Sequence, residues 1–215
     1  MAISNGRTIC KTERDLVLQG FKEQLQILEN SQIEQENLFK ARLYDIISDG
    51  FLSNEEKSTE KGSWANELQK LEERHIRIRR SVFIGLYSLW ETSLMDIVTT
   101  HIPSAVDAAR NSKKSNNFSA SDYLKLIYRE GLPSFVDLID NNIREFRNYM
   151  VHGALTKRRE SLIDYLIGTH AKFSITKVGM EYFISDYAGL FEFLNAFSCE
   201  LDNAENQIIK NINRK

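Results

Sequence analysis

The residues with the clearest capacity for chemistry lie at positions 143–153, which read IREFRNYMVHG. A histidine titrates near neutral pH, so His152 can take or give a proton there. Arg147 offers a permanently charged, planar fork that suits phosphoryl oxygens as negative charge builds on them. Asn148 stands one helical turn before His152 and can orient the imidazole or bond a phosphate. The stretch therefore predicts a site for acid–base chemistry on a phosphate.

The apolar residues around this stretch predict a helix. They recur at steps of four, three and four, at Ile139, Ile143, Phe146 and Met150. At about 100° per residue, Arg144, Asn148 and His152 form a row on the side away from that stripe. Arg147 lies roughly 140° around the helix from His152, so the two meet on one phosphate only if the arginine reaches around or the helix ends near Gly153. We expect His152 to face solvent or a second chain.

The run RNYMVHG at 147–153 resembles the R-x4–6-H motif of the HEPN superfamily. These are small helical bundles that include many metal-independent ribonucleases of prokaryotic toxin and antiviral systems. The apolar residue before the histidine and the glycine after it also match the usual signature. The apolar helix Phe83 to Val98, which contains Glu91, resembles the helix that precedes the motif in such proteins. The resemblance covers roughly residues 75 to 200, and no other histidine here has an arginine five to seven residues before it.

The resemblance implies an endoribonuclease with Arg147, Asn148 and His152 as catalytic residues. HEPN nucleases are held to work as homodimers whose two motifs face each other in a shared cleft, and to leave a 2′,3′-cyclic phosphate without a cofactor. Arg144 and Glu91 are expected to support the site, with Glu91 paired to Arg144 or Arg147.

The position two residues after the motif histidine departs from one subgroup of the family. A toxin subgroup carries there a tyrosine that its antitoxin nucleotidylates, and this chain has Ala154. That difference puts a resemblance to the subgroup in doubt, while a regulatory partner or an antitoxin stays open.

Two other functions fit the same residues. Some HEPN proteins bind nucleotides or partners without cleaving anything. In a plain helical structural protein, Arg147 and His152 would only pair locally. The intact Arg-Asn-His set favours the ribonuclease. Lys157, Arg158 and Arg159 follow the motif directly and are the candidate RNA-binding residues, although basic residues near a helix end are commonly plain surface.

Composition favours an all-α fold. The chain has 215 residues, of which 42% are hydrophobic, and its two prolines and ten glycines are too few for a β-rich protein. We expect a HEPN-like helical bundle at 63–212, preceded by a long helical extension at 1–62. The net charge of −2 predicts that any RNA contact comes from local patches.

The remaining composition bears on location and metals. Cys10 and Cys199 lack a second cysteine or a histidine at ligand spacing, which indicates a reducing compartment and no zinc site. The sequence has neither a run of about 18 apolar residues nor the apolar core of a signal peptide. We expect a cytoplasmic protein that does not enter a membrane.

Hydrophobic periodicity predicts where the helices lie. In the N-terminal half we expect one long helix or two in series over about 12–48, a charged loop over 48–63 and a central helix from Trp64 to about Thr100. A loop with at most a short helical turn follows over 101–118, then a helix capped by Ser119 or Ser121 through Ile127 and the motif helix from Ser134 to His152. A short hairpin over 173–184 and a last helix capped by Ser185 or Asp186 complete the chain's predicted elements. His75 falls on the stripe of the central helix and is expected to form a local hydrogen bond in the core.

Overall fold

The computed structural model describes residues 2–112, 118–129, 131–154 and 156–213, with side chains from residue 13 onward. Cys10 is therefore described by its backbone only, and Cys199 is exposed. The elements are α1 (Ala2–Ser48), α2 (Asn54–His101), α3 (Pro103–Ser112), α4 (Ala120–Ile127), α5 (Ser134–Leu138), a π-helical turn (Ile139–Ile143), α6 (Arg144–His152), α7 (Lys157–Thr169), a 3-10 turn (Ala171–Phe173), β1 (Ile175–Val178), β2 (Glu181–Ile184) and α8 (Tyr187–Asn213). The predicted all-α fold, with a long N-terminal helix and a hairpin before the last helix, is confirmed.

The connection between α1 and α2 is shorter than predicted. The structure places only residues 49–53 outside the helices, so the expected loop over 48–63 is wrong. Ser53 and Glu56 form a capping box: the Ser53 hydroxyl accepts from the Glu56 amide at 3.3 Å, and the Glu56 carboxylate accepts from the Ser53 amide at 2.9 Å. This cap satisfies amides of the first turn, which lets α2 begin ten residues before its apolar stripe.

The core forms where α8 packs against α1 and α2. Phe83 of α2 lies 4.6 Å from Phe193 of α8, and Trp90 stacks on Phe197 at 5.7 Å between ring centroids. Each such buried ring contributes about 1.5–3 kcal/mol relative to an exposed one. Leu25 of α1 is also fully buried, so α1 is part of this core. The predicted boundary between residues 62 and 63 falls inside α2.

The segment between α2 and α4 is more helical than predicted. Residues 103–112 form α3, where the structure contradicts the expected loop, and positions 113–117 of that loop lie outside the described residues. Pro103 occupies the first helical position, which needs no amide donor, and Val106 is buried against the bundle. The helix α4 follows with Ser119 as its cap, as predicted: the Ser119 amide donates to the Asp122 carboxylate at 2.8 Å.

The motif helix has the predicted limits but contains an unexpected turn. Helices α5 and α6 join through the π-helical turn into one continuous helix from Ser134 to His152. Gly153 ends it with φ 68°, a left-handed conformation that glycine adopts without strain, and its amide donates to the Tyr149 carbonyl at 2.8 Å.

The C-terminal part follows the prediction. Strands β1 and β2 pair antiparallel, with Ile175 opposite Ile184. The Asp186 carboxylate accepts from the Gly189 amide at 2.9 Å and caps α8. A Cβ on Gly189 would lie 2.3 Å from the Phe173 carbonyl oxygen, so only glycine allows α8 to cross the 3-10 turn this closely. Within the described ranges, none of the helices combines the length and the apolar character needed to cross a membrane.

Candidate functional site

His152 lies at the open end of the motif helix. It is the last residue of α6, and its side chain is exposed, as are Val151, Gly153 and Ala154 beside it. No hydrogen bond or ion pair reaches its imidazole from any residue that the structure describes. The prediction that His152 points away from the core of its own chain is confirmed.

Arg147 is held against α2 instead of extending into solvent. Its guanidinium carbon lies 5.6 Å from the centre of the Tyr87 ring, and only 27% of its side chain is exposed. One terminal nitrogen lies 4.0 Å from a Glu91 carboxylate oxygen, and the other donates to the Asn148 side-chain oxygen at 3.3 Å. Glu91 therefore pairs with Arg147, one of its two expected partners.

Arg147 and His152 do not pair within one chain. Among the described contacts, neither a hydrogen bond nor an ion pair joins them, in keeping with their separation around the helix. The local pairing expected of a plain structural protein is therefore not observed.

Arg144 has a partner of its own, in the π-helical turn. It donates to the buried Asp140 carboxylate at 3.0 Å, and Asp140 also accepts from the Ser121 hydroxyl of α4 at 2.9 Å. On the other side of the turn, the Asn142 amide donates to the Leu162 carbonyl of α7 at 2.8 Å. These bonds to two neighbouring helices hold the turn from both sides. Such π-helical turns are frequent at functional sites.

The environment of Arg147 is a half-buried cluster of charged and polar groups. Burial raises the pKa of the Glu91 carboxyl, while the charges of Arg147 and Arg144 act in the opposite direction. Burial also raises the pKa of Tyr87. The Tyr87 hydroxyl and the Arg147 Nε are both buried without a hydrogen-bond partner. Buried polar atoms that lack partners are rare in folded proteins and call for an explanation, which a bound group would provide.

The predicted RNA-binding residues occupy the first turn of α7. Thr156 caps this helix, accepting from the Arg159 amide at 3.4 Å. Lys157 and Arg158 are exposed, whereas Arg159 forms an ion pair with Glu145 of α6 at 2.9 Å. A helix N-terminus carries partial positive charge, so it adds to the two exposed cations. All three basic side chains are exposed, and among the described contacts only Arg159 has an ion-pair partner.

Sequence reasoning missed Arg80 as a neighbour of the motif. Its Nε donates to the Met150 carbonyl in the last turn of α6, which brings a cation beside the end of the helix that carries His152. Its only signal was membership of the run Arg74, Arg77, Arg79 and Arg80. In the same run Arg79 is fully buried and donates to the Ile184 carbonyl at 2.8 Å. His75 is buried with its Nδ1 3.1 Å from the Tyr187 hydroxyl, the local core contact expected of it.

Comparison with known proteins found no matching family model, no matching curated protein and no matching solved structure. Within the described side chains, no group of three or more His, Cys, Asp and Glu residues is placed to hold a metal ion.

Proposed function

We propose that this protein is an endoribonuclease of the HEPN type, with a composite active site made by two copies of the chain. The observation that carries the proposal is the exposed, unpaired His152 at the end of α6, on the same helix as Arg147 and Asn148. The fold, the resemblance of the motif and its orientation away from the core support the same conclusion.

The reaction uses proton transfer and charge stabilisation. One His152 removes the proton from a ribose 2′-hydroxyl, and the oxygen attacks the adjacent phosphorus. The bond from phosphorus to the 5′-oxygen breaks, and the leaving oxygen takes a proton from the second His152. The products are a 2′,3′-cyclic phosphate and a 5′-hydroxyl. Because each chain offers one motif histidine, an acid and a base require two copies related by a two-fold axis.

Arg147 acts in this scheme on the phosphorus centre. Its guanidinium donates to the non-bridging oxygens, where negative charge increases in the transition state. Glu91 and Tyr87 hold the arginine in place, and Asn148 contacts the same guanidinium at 3.3 Å. Lys157 and Arg158 bind flanking phosphates of the RNA, which compensates for a protein whose net charge is −2. We place the reaction in the cytoplasm, in a toxin or antiphage defence system.

The test is cleavage of total RNA by the purified protein in EDTA. His152→Ala is expected to reduce cleavage at least 100-fold, while His170→Ala, which changes a histidine at the end of α7, is expected to retain it. Fragments are expected to end in a cyclic phosphate, and a 2′-deoxy substitution at a cleavage site should block cleavage there. Loss of activity on chelation, or a 5′-phosphate product, would contradict the proposal.

A non-catalytic module that binds a nucleotide or a regulatory protein is the second candidate. The observation that favours it is the contact of Arg147 with Glu91, which holds the guanidinium back from the exposed end of the helix. In that case His152→Ala and Arg147→Ala would abolish binding of the nucleotide or partner, and neither would alter any RNA cleavage in the preparation.

A further inference from the structure

The α8 helix covers only part of the surface that α1 and α2 present to it. On α2 this surface is a stripe at steps of four and three, and from Arg79 onward it is buried: Arg79, Phe83, Leu86, Trp90, Leu94 and Ile97. On α1 the matching residues are Leu18 and Leu25, both buried. The helix α8 begins at Tyr187, whose hydroxyl lies 3.1 Å from His75 Nδ1. Past this contact, α1 and α2 continue together without α8.

The same stripe continues toward the α1–α2 connection, where it is exposed on α2 and partly buried on α1. On α2 it passes through Leu68, Ala65 and Lys61. On α1 the steps of seven from Leu18 and Leu25 lead to Gln32 and then Phe39.

A groove of about 390 Å³ opens between the two helices along this continuation. Phe39 and Trp64 contact each other in the groove, edge to face at 5.3 Å. Leu43 and Leu68 also line it, and they remain 38% and 44% exposed. An apolar stripe on a helix is normally buried against another element, so the groove has the form of a site for further helices.

The charges around the groove indicate what fills it. The rim contains Glu36 and Glu72 at the end next to α8, Lys61 at the end next to the connection, and Lys40 between them on α1. Glu72 pairs with the buried Arg79 at 2.8 Å, whereas Glu36 has a longer contact of 3.8 Å with the exposed Lys40 on its own helix. Because α1 and α2 run antiparallel, Glu36 and Lys61 lie on opposite sides of the Phe39 and Trp64 pair. A two-fold axis through that pair places Lys61 of each copy over Glu36 of the other.

We propose that the groove is a self-association surface in which two copies of the chain pack their α1–α2 grooves together as an intermolecular four-helix bundle. The contact is isologous: each copy offers the same apolar centre and the same two charged ends. It places Leu43 and Leu68 of both copies in one shared apolar core. This interface does not use residues 144–159 and does not depend on the proposed reaction.

The first test measures the mass of the full-length chain by light scattering or sedimentation over a range of concentrations. The groove contact is expected to form at micromolar concentration in addition to the contact between the motifs, so the parent should exceed the mass of a dimer. Leu43→Glu with Leu68→Glu should weaken the groove contact at least 100-fold and leave a dimer joined at the motifs. Without the contact between motifs, the parent would be a dimer and the double variant a monomer. Leu38→Glu is the matched control, because Leu38 is on α1 and 71% exposed but does not line the groove. Circular dichroism establishes that each variant remains folded. A parent that is monomeric throughout, or a double variant that associates as the parent does, would overturn the proposal.

The second test asks whether the occupant is another copy of this chain. Lys61→Glu and Glu36→Lys should each weaken the groove contact by placing like charges together, and the combined variant should restore it. Singles that have no effect, or a combined variant that fails to recover, would exclude the two-fold arrangement. Since His152→Ala should leave this association unchanged while it abolishes cleavage, failure of the interface and failure of the proposed function give different results.

Discussion

At the residue scale, the two central residues of the motif have opposite environments. His152 is exposed at a helix end, and Arg147 lies half-buried between Tyr87 and Glu91. An exposed histidine is free to meet a substrate or a second chain, whereas the arginine has been positioned by α2. This division fits a site in which the cation is fixed beforehand and the proton-transfer group meets its substrate at the surface.

Replacement of the two arginines near the motif should separate their roles. Arg147→Ala is expected to reduce the rate of RNA cleavage at least 100-fold, which corresponds to about 2.7 kcal/mol of lost transition-state stabilisation. Arg144→Ala should change cleavage much less, because Arg144 is committed to Asp140 in the π-helical turn. Single-turnover kinetics at saturating RNA measures the difference. Equal losses in both variants would indicate that they act through the structure of the helix.

A buried glutamate in the core predicts how stability depends on pH. Glu200 is fully buried and accepts from the Trp90 indole at 2.7 Å, and its other oxygen has no hydrogen-bond partner. Burial raises the pKa of this carboxyl from 4.5 to about 7. Since the folded protein holds the proton more tightly than the unfolded chain, the stabilisation is complete below pH 4.5 and is lost as pH rises through 7.

Glu200→Gln should therefore abolish the loss of stability that the parent shows as pH rises through 7. The variant is expected to be more stable than the parent at pH 8, by up to about 3 kcal/mol, since each pKa unit corresponds to about 1.4 kcal/mol. Urea unfolding between pH 5 and 8 measures this difference in the free energy of unfolding. Glu192→Gln is the control on α8, because Glu192 is paired with Lys172 near the surface at 3.3 Å. A parent whose stability does not fall over this pH range would contradict the argument.

At the element scale, the packing of α7 against α6 decides which of the proposed RNA-binding residues already have an ion-pair partner. Lys157 and Arg158 lie in the first turn of α7 and are exposed, while Arg159 is paired with Glu145. The N-terminus of a helix carries partial positive charge, so positively charged side chains there are unfavourable. A bound phosphate would reduce this repulsion.

Removal of the two exposed cations should weaken RNA binding. Lys157→Gln with Arg158→Gln is expected to lower affinity and to reduce the slope of log K against log salt by about 1.4, given about 0.7 per phosphate on a single strand. Some turnover should remain at high RNA concentration, because the reacting groups are unchanged. Arg159→Gln should alter the slope less. Fluorescence anisotropy with a labelled RNA over a salt series measures these effects, and an unchanged slope in the double variant would remove these residues from the binding surface.

The central helix α2 should tolerate charge only on its outer side. Leu86 is 1% exposed, so Leu86→Asp buries an unpaired carboxylate and should cost several kcal/mol, enough to unfold the bundle. Met95→Asp makes the same kind of change at a position that is 36% exposed on the same helix, and it should melt close to the parent. Thermal melts followed by circular dichroism compare the two. A cooperative melt of Leu86→Asp near that of the parent would contradict the central role of this helix.

At the scale of the whole molecule, a composite site makes activity depend on both copies. If inactive His152→Ala chains are mixed and re-equilibrated with an equal amount of parent, only about a quarter of the two-fold dimers contain two intact motifs. Total cleavage should then fall to about half of the value expected if the parent chains paired only with one another, since they would then form half of all the dimers. A site contained within one chain would instead lose nothing on addition of the inactive variant.

The sequence by itself determined the parts of this protein that depend on local periodicity and capping. The limits of the motif helix, the exposure of His152, the cap of α4 and the hairpin all follow from spacing within a few residues, where helical geometry and turn chemistry dominate. The early start of α2 was also encoded locally, by Ser53 and Glu56, but the polar composition around them obscured it.

Only the tertiary structure decided which groups meet across helices. The choice of Glu91 for Arg147, the pairing of Arg159 with Glu145 and the contact of Arg80 with Met150 depend on how α2, α6 and α7 pack. Arg79 belongs to a run of basic residues typical of a solvated surface, yet it is buried. Besides Glu72 on its own helix, two groups that are distant in sequence, the Ile184 carbonyl and the Gln32 side chain, accept its hydrogen bonds. Partners that are far apart along the chain leave no periodic trace in it, so spacing alone cannot reveal them.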